Sequence, residues 1–428
     1  MVFLPFLVMV IALLLGVPIA FSLAGSGILG IYIVKGNWNM VLGVLGMAPF
    51  STVADYALTT IPMFILMAYF SASSGLARDL FKAASDWLAH IRGGLGVATV
   101  FACGIFGAMS GASTAAASVM ATIAYPEMRR HGYSEELAAG AVGIGATLDL
   151  LIPPSIAMVI YGIATQTSIA KLLIAGVVPG IIVGIFLALA IFVWVRVRPQ
   201  DAPETYRVPL SERWESVRHI WPSLLLILVV IVLLYTGVVT PTEVGAIGAF
   251  MAALIGVAFG RLTWSGIFEA LKLTIRTSAM IFMILIGATI FGTFMALSRV
   301  PQQVVAVITD MNLNRWVVII GIVVCYFVVS MFMDEIPLLL LTLQLTFPLI
   351  TRLGFDPIWF GVMSIMMVSM GLVFPPVGVI AFVVSSTAKV DLVKVYTGTS
   401  VLMVAIIIAT ILIMIFPQLA LWLPATMR

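Results

Sequence analysis

Apolar stretches long enough to cross a bilayer recur from Leu4 to Val34, through every block up to Trp194, and again from Ile220 to Leu423. A spanning helix needs about 20 such residues. The pattern predicts an all-α polytopic membrane protein, with the first stretch kept as a helix and not removed as a signal peptide. Two of the apolar runs are interrupted in the same way. "TLDLLIPPSIAMVIYG" (Thr147 to Gly162) and "GLVFPPVGVIAF" (Gly371 to Phe382) each place adjacent prolines, Pro153–Pro154 and Pro375–Pro376, at the centre of an otherwise unbroken stretch.

Polar positions divide the chain. "RVRPQDAPETYRVPLSERWESVRH", Arg196 to His219, is the one long polar segment and carries five arginines. It predicts a first repeat over 1–195, a linker over 196–219 and a second repeat over 220–428. A shift of 222 positions brings Pro153 and Pro154 onto Pro375 and Pro376, and Tyr125–Pro126 onto Phe347–Pro348. Placing the linker in the cytoplasm puts 16 of the 21 lysines and arginines on that side. The positive-inside rule favours this orientation. Both termini then lie outside and the halves run in opposite directions, the inverted-repeat plan of many secondary transporters.

Four segments do not read as simple spans. Leu76, Leu80, Ala84, Trp87, Leu88 and Ile91 recur at helical spacing opposite Arg78, Lys82, Ser85, Asp86 and His90, which predicts an interfacial arm helix over 76–91. "WSGIFEALKLTIR", Trp264 to Arg276, reads similarly. The run from Gly94 to Arg130 is too long for one crossing of a ~30 Å core at 1.5 Å per residue. Its centre is "SGAST", so a re-entrant hairpin over 94–128 is expected, with a counterpart over 316–350 turning at "MDEIP". Broken helices are expected over 133–168 and 357–385.

Proline lacks an N–H and clashes with the preceding turn. Pro153 and Pro154 should therefore free the carbonyls of Asp149 and Leu150, and Pro375 and Pro376 those of Gly371 and Leu372. Irregular backbone inside a membrane survives only when buried in protein or lining a cavity. Freed carbonyls suit a hard cation such as Na⁺, and half-helix N-termini suit a carboxylate. Simple structural roles stand beside these readings. The prolines alone make a kink. Ser110, Ser113 and Thr114 can cap the second limb of their hairpin, and Asp334, followed by Glu335, can do the same for its own. Asp149 either joins the site or faces a water-filled vestibule.

Composition narrows the function. With 62% hydrophobic and 9% charged residues, the net charge of +3 reflects loop lysines and arginines, and no nucleic-acid surface is expected. Cys103 and Cys325 sit in apolar runs, so neither a disulfide framework nor a metal cluster is expected. His90, His131 and His219 all lie in charged flanks, which opposes an intramembrane enzyme. No GxxxxGK[ST] phosphate loop occurs, leaving ion gradients as the energy source.

Three segments then carry a resemblance: "FGAMSGASTAAASVMATIAYPEMRRHGYSEELAAG", "GATLDLLIPPSIAMVIYGIATQTSIAKLLIAGVVPG" and "GLVFPPVGVIAFVVSSTAK". The chain resembles, over essentially its whole length, the large permease subunit of tripartite ATP-independent periplasmic (TRAP) transporters. The resemblance implies an elevator-type fold, with a scaffold and a transport domain built on two hairpins, in a bacterial inner membrane. It implies no enzymatic activity. A small four-helix membrane subunit and a periplasmic substrate-binding protein are the implied partners. Na⁺-coupled uptake of organic acids, C4-dicarboxylates or similar, is the implied function. By motif, Ser110, Gly111, Ser155 and Asp334 look like substrate or sodium contacts. Gly145 and Thr147 match the segment before the first break, and Gly371, Pro375, Pro376 and Gly378 match the second. Asp149 departs from the family pattern, which usually has a small residue there. With no lysine or arginine in the expected midplane site, a carboxylate would be held by hydroxyls, helix N-termini and bound cations. The alternative reading is a stand-alone divalent-anion:Na⁺ symporter.

Overall fold

In a chain this apolar, hydrophobicity cannot mark where one helix ends and the next begins, so capping residues and glycines do. In the computed structural model of the protein, the structure describes residues 3–203, 205, 208–311 and 313–427. The first half runs α1 (Leu4–Leu14), α2 (Ile19–Lys35), α3 (Trp38–Val53), α4 (Thr60–Ser73), α5 (Leu76–Leu88), α6 (Gly94–Ser110), α7 (Ser113–Arg130), α8 (Glu135–Ala146), α9 (Ile156–Thr165), α10 (Ile169–Ala175) and α11 (Val177–Val197). The second runs α12 (Leu210–Thr236), α13 (Pro241–Ala258), α14 (Trp264–Ser298), α15 (Val300–Asp310), α16 (Arg315–Ser330), α17 (Glu335–Arg352), α18 (Pro357–Gly371), α19 (Val379–Ala388), α20 (Leu392–Ile415) and α21 (Gln418–Ala425). Side chains of Asn37, Ser134, Ser168, Asp356 and Asp391 accept first-turn amides and so fix where their helices start. Thr240 and Glu243 form a reciprocal capping box at the head of α13. Among the described residues, seven helical stretches are long and apolar enough to cross a membrane. The protein is all-helical and multi-pass.

The helix boundaries repeat at the spacing of the prolines. Helices α2, α7 and α8 begin at 19, 113 and 135, and α13, α17 and α18 begin 222 residues later at 241, 335 and 357. Packing is reciprocal as well. Helix α2 lies along α14 while α13 lies along α4, and α7 packs on α19 while α17 packs on α9. Hydrogen bonds cross between the halves: Thr60 with Thr242 at 2.7 Å, Tyr69 with Thr277 at 2.9 Å, and the Tyr161 hydroxyl to the Pro357 carbonyl at 2.7 Å.

Two segments differ from their expected form. Trp264–Arg276 is no separate interfacial helix, because it continues without a break into a 35-residue α14. An amphipathic face does not stop a helix, and this stretch contains no proline to do so. At 1.5 Å per residue α14 is about 52 Å long, so its polar start projects beyond a ~30 Å core. The polar stretch 196–219 is also partly helical, since α12 begins at Leu210 and carries Arg213 and Arg218. Helix α5 packs on α6 and α12, with the Trp87 indole donating to the Arg213 carbonyl at 3.2 Å and Asp79 paired with Arg261.

Helices α8 and α20 make one of the closest crossings between the halves. A Cβ on Gly398 would stand 2.0 Å from the Glu136 carbonyl oxygen and 2.8 Å from the Gly140 Cα. Beside this crossing, Glu135 accepts from Lys394 at 2.8 Å and pairs with Arg129 at 3.3 Å. Overpacking a filled core costs about 1–3 kcal/mol, and here the obstacle is backbone. Gly398→Val is expected to lower the thermal midpoint of the purified protein and its monodisperse yield. Gly43→Val, where a Cβ meets nothing within 4 Å, should leave both unchanged. Equal melting of the two variants would mean that this crossing does not hold the halves together.

Candidate functional site

The first hairpin reverses over very few residues. Helix α6 ends at Ser110, Gly111 takes a left-handed φ of +61°, and α7 begins at Ser113. The Gly111 N–H closes the end of α6 on the Gly107 carbonyl at 2.7 Å. This tip sits against the first proline break: a Cβ on Gly111 would stand 3.0 Å from the Pro154 carbonyl oxygen. A Cβ on Gly107 would stand 2.3 Å from the Cβ of Asp149. Glycine at 107 therefore lets Asp149 lie directly on α6.

The break runs from a 3₁₀ turn, Thr147–Leu150, through cis-linked Pro153–Pro154 to Ser155. The turn packs on α6, α7, α8 and α9, and on α18 of the other half. Leu151 and Ile152 N–H both return to the Leu148 carbonyl. Among the described residues, the carbonyls of Asp149 and Leu150 accept no hydrogen bond across the break. This agrees with the loss of donors expected from the prolines.

The second break is built differently. The carbonyls of Gly371 and Leu372 are not left without donors: the Phe374 N–H reaches Gly371 O at 3.1 Å and the Ile380 N–H reaches Leu372 O at 2.9 Å. A tight turn before the prolines thus serves Gly371, and the chain after Pro375–Pro376 turns back far enough for α19 to serve Leu372. Thr399 donates to Val373 O at 2.9 Å, and Tyr396 donates to Val377 O at 2.7 Å. Pro153 and Pro154 are buried, whereas Pro375 is half-buried and Pro376 exposed. Gly378, at φ +53°, donates its N–H to the Met331 carbonyl at 3.1 Å, tying this break to the turn of the second hairpin. A Cβ on Gly371 would lie 1.8 Å from the Ser330 Oγ, so this glycine serves hairpin packing.

Several expected site residues have local structural work. Thr147 donates to Ile144 O at 2.7 Å, Ser155 caps α9 by accepting the Met158 N–H at 3.4 Å, and Gly145 is packed against Cys103. Asp334 caps α17 by accepting the Glu335 N–H at 3.0 Å and is half-buried; Thr114 is half-buried too. Others have no such work. Among the described residues, the buried Ser110 and Ser113 hydroxyls meet no partner, and the buried Glu335 Oε2 has none in good geometry although its carboxyl lies beside that of Asp334. Asp149 is 0% exposed, and the Leu150 N–H approaches it without forming a well-directed hydrogen bond to either oxygen. The carboxylates of Asp149, Asp334 and Glu335 lie near enough to act on one another electrostatically. The second hairpin packs beside the first break, with α17 against α9. Sequence reasoning missed Gly107 and also Ser364, whose buried hydroxyl lies beside Tyr326 without a well-directed hydrogen bond among the described residues. A helical glycine or serine in an apolar run gives no signal beyond packing.

Buried polar atoms without partners are costly unless a ligand satisfies them. Those gathered at the first break are all oxygens: hydroxyls, carbonyls and a carboxylate. Such a set suits a hard monovalent cation and offers nothing soft to a transition metal. Among the described residues no three His, Cys, Asp or Glu side chains converge as a metal cluster. A separate polar cavity of about 470 Å³ lies where α3 and α14 face α9 and α17, lined in part by Ser51, Thr52, Asp55, Gln166, Thr289 and Gln344.

Comparison with known proteins places this architecture. Residues 6–419 match the family model described as "Tripartite ATP-independent periplasmic transporter, DctM component". The chain is 33% identical to the C4-dicarboxylate TRAP transporter large permease protein of Pseudomonas aeruginosa over 376 residues, covering 88% of each chain. It is 31% identical to the ectoine TRAP transporter large permease protein of Halomonas elongata, covering 96% of each. With the sialic acid counterpart of Vibrio cholerae it shares 30%, covering 86% of each. The fold is also similar to the YdaH transporter of Alcanivorax borkumensis, at a TM-score of 0.65 and 14% identity over 89% of this chain and 88% of that one. By length of match, helical organisation and similarity to these permeases, the chain belongs to the DctM family, the large permease component of tripartite ATP-independent periplasmic transporters.

Proposed function

We propose that this permease couples Na⁺ to the uptake of a carboxylate-bearing solute, handed to it by a periplasmic binding protein and carried alongside a small membrane subunit in a bacterial inner membrane. The observation that carries the reading is the set of unpartnered buried oxygens where the first hairpin tip meets the first break. Of the solutes named for relatives, C4-dicarboxylates, sialic acid and ectoine carry a carboxylate, and isethionate carries a sulfonate in its place. In this reading the Asp149 and Leu150 carbonyls, with Ser110 and Ser113, hold a sodium ion. The solute carboxylate lies at the N-terminal end of α7, which no side chain caps and where free amides and the helix dipole favour negative charge. The helices α6–α9 and α16–α19 move as one body against α2, α4, α13 and α14. Opposed halves, a cytoplasmic 196–219 and outer termini complete the orientation. Each uncompensated charge that crosses draws about 2.3 kcal/mol per 100 mV, so sodium bound beside a carboxylate sets how far the potential drives uptake.

The test is co-reconstitution of the three components in proteoliposomes, with labelled succinate, sialic acid and ectoine as probes. An inward Na⁺ gradient should drive uptake of at least one, and K⁺ in its place should not. Uptake by this chain alone would favour the stand-alone symporter. Asn caps a helix about as well as Asp, so Asp334→Asn separates capping from charge. Its expected result is normal insertion with uptake lowered by about tenfold, as for losing one charged hydrogen bond. Unchanged uptake and sodium dependence would leave Asp334 with its cap alone.

A further inference from the structure

We propose that a phospholipid acyl chain occupies the apolar cavity between the second hairpin and helices α1 and α14, with the phosphate of that lipid held at Arg315. The cavity has about 550 Å³, and its walls include Phe6 and Met9 of α1, Phe291 and Met295 of α14, and Val318 and Ile322 of α16. Its polar wall groups are already used. Tyr326 pairs with Thr346 at 2.9 Å, and Thr342 and Thr346 donate to carbonyls within α17. Water fits poorly, since this volume would hold about 18 molecules at ~30 Å³ each with almost nothing to bond. A partner helix would place only a single turn in it, since one helical turn fills roughly 400–600 Å³.

The open side of the cavity suits a lipid tail. Val317 is 57% exposed and Cys325 is exposed, so the wall of α16 is continuous with the membrane-facing surface. From Arg315 to Cys325 the helix rises about 15 Å at 1.5 Å per residue, which is the depth of one leaflet of a ~30 Å core. At the shallow end, the exposed Arg315 guanidinium lies 5.5 Å from the Phe355 ring and 5.8 Å from the Trp316 ring. Among the described residues no carboxylate pairs with it. An arginine and a tryptophan at one level mark the headgroup zone, and an unpaired guanidinium there is a natural phosphate partner. The tail would fill the seam between the hairpin and the helices beside it, so that the hairpin can shift without opening a void. Lipid binding at this cavity does not depend on sodium coupling.

Photocrosslinking tests it. The chain with its partner subunits is placed in nanodiscs of phosphatidylethanolamine and phosphatidylglycerol carrying a mid-chain diazirine, and adducts are mapped. They should concentrate on α1, α16 and α17 over the lipid-facing groove of α11 and α20. Gly321→Phe, at a position where a Cβ meets nothing within 4 Å, should remove most of them. Arg315→Gln should lower them about fivefold, and excess inorganic phosphate should not compete if a lipid headgroup is the ligand. An even adduct map in the unmodified protein overturns the proposal whether or not the variants fold. So does an unchanged map in a folded Gly321→Phe, competition by free phosphate, or crosslinks from Cys325 to the small subunit in place of lipid.

Discussion

Gly111→Val is expected to lower solute uptake about 100-fold, while the protein still inserts and purifies as a monodisperse species. The backbone at 111 is left-handed, at φ +61°. A side chain there costs roughly 1–2 kcal/mol, more when β-branched. The added Cβ would also press on the Pro154 carbonyl at 3.0 Å, and overpacking of this kind adds about 1–3 kcal/mol. At 1.4 kcal/mol per tenfold change, the two together account for a loss of about two orders of magnitude. The tip and the break face each other, so the strain falls on the oxygens proposed to hold the sodium ion. Gly111→Asn separates the causes, because Asn tolerates the left-handed region but still crowds Pro154. It should give an intermediate rate. Wild-type uptake in both variants would show that the contact between tip and break has no part in transport.

Asp149→Asn should change stability and sodium dependence in opposite directions. A buried carboxylate without a good donor is destabilising, and a neutral isostere removes that cost, by about 1–3 kcal/mol on the scale of buried unsatisfied groups. In sodium-free buffer the variant should therefore melt at a higher temperature than wild type. If Asp149 contributes charge to a bound sodium, the same change removes a charged partner worth about 1.5–3 kcal/mol. The sodium concentration for half-maximal uptake should then rise about 10–100-fold. A variant that is stabilised yet keeps normal sodium dependence would place Asp149 at the break without a role in binding.

The prolines, the turn glycine and the excess length of the hairpin runs were legible in the sequence because each is a local consequence of covalent geometry. Pro153 must remove a donor wherever it sits, and a 37-residue apolar run cannot be one crossing. What escaped depends on contacts made at a distance. The Leu372 carbonyl keeps a donor because α19 folds back onto the break, and the Gly371 carbonyl is served by the Phe374 N–H in a local turn, neither of which proline chemistry alone reveals. Trp264–Arg276 is amphipathic, but whether it ends or continues into α14 depends on a stop signal the segment does not carry. Asp149 was visible as an acid. That Gly107 cradles it and leaves both its oxygens without a good partner is a property of α6 and the 3₁₀ turn together. Ser155, Thr147 and Asp334 illustrate the converse: their positions matched the expected site, and each also has a hydrogen bond that its helix end requires.

The central claim is that a sodium ion binds where the first hairpin tip meets the first proline break. Equilibrium binding of radiolabelled sodium to purified protein tests it without relying on partner subunits or on the identity of the solute. Wild type should bind sodium saturably, Asp149→Asn should bind it more weakly, and a folded Gly111→Val should lose that binding. Sodium binding to Gly111→Val at the wild-type level, or no saturable binding to wild type, would contradict it.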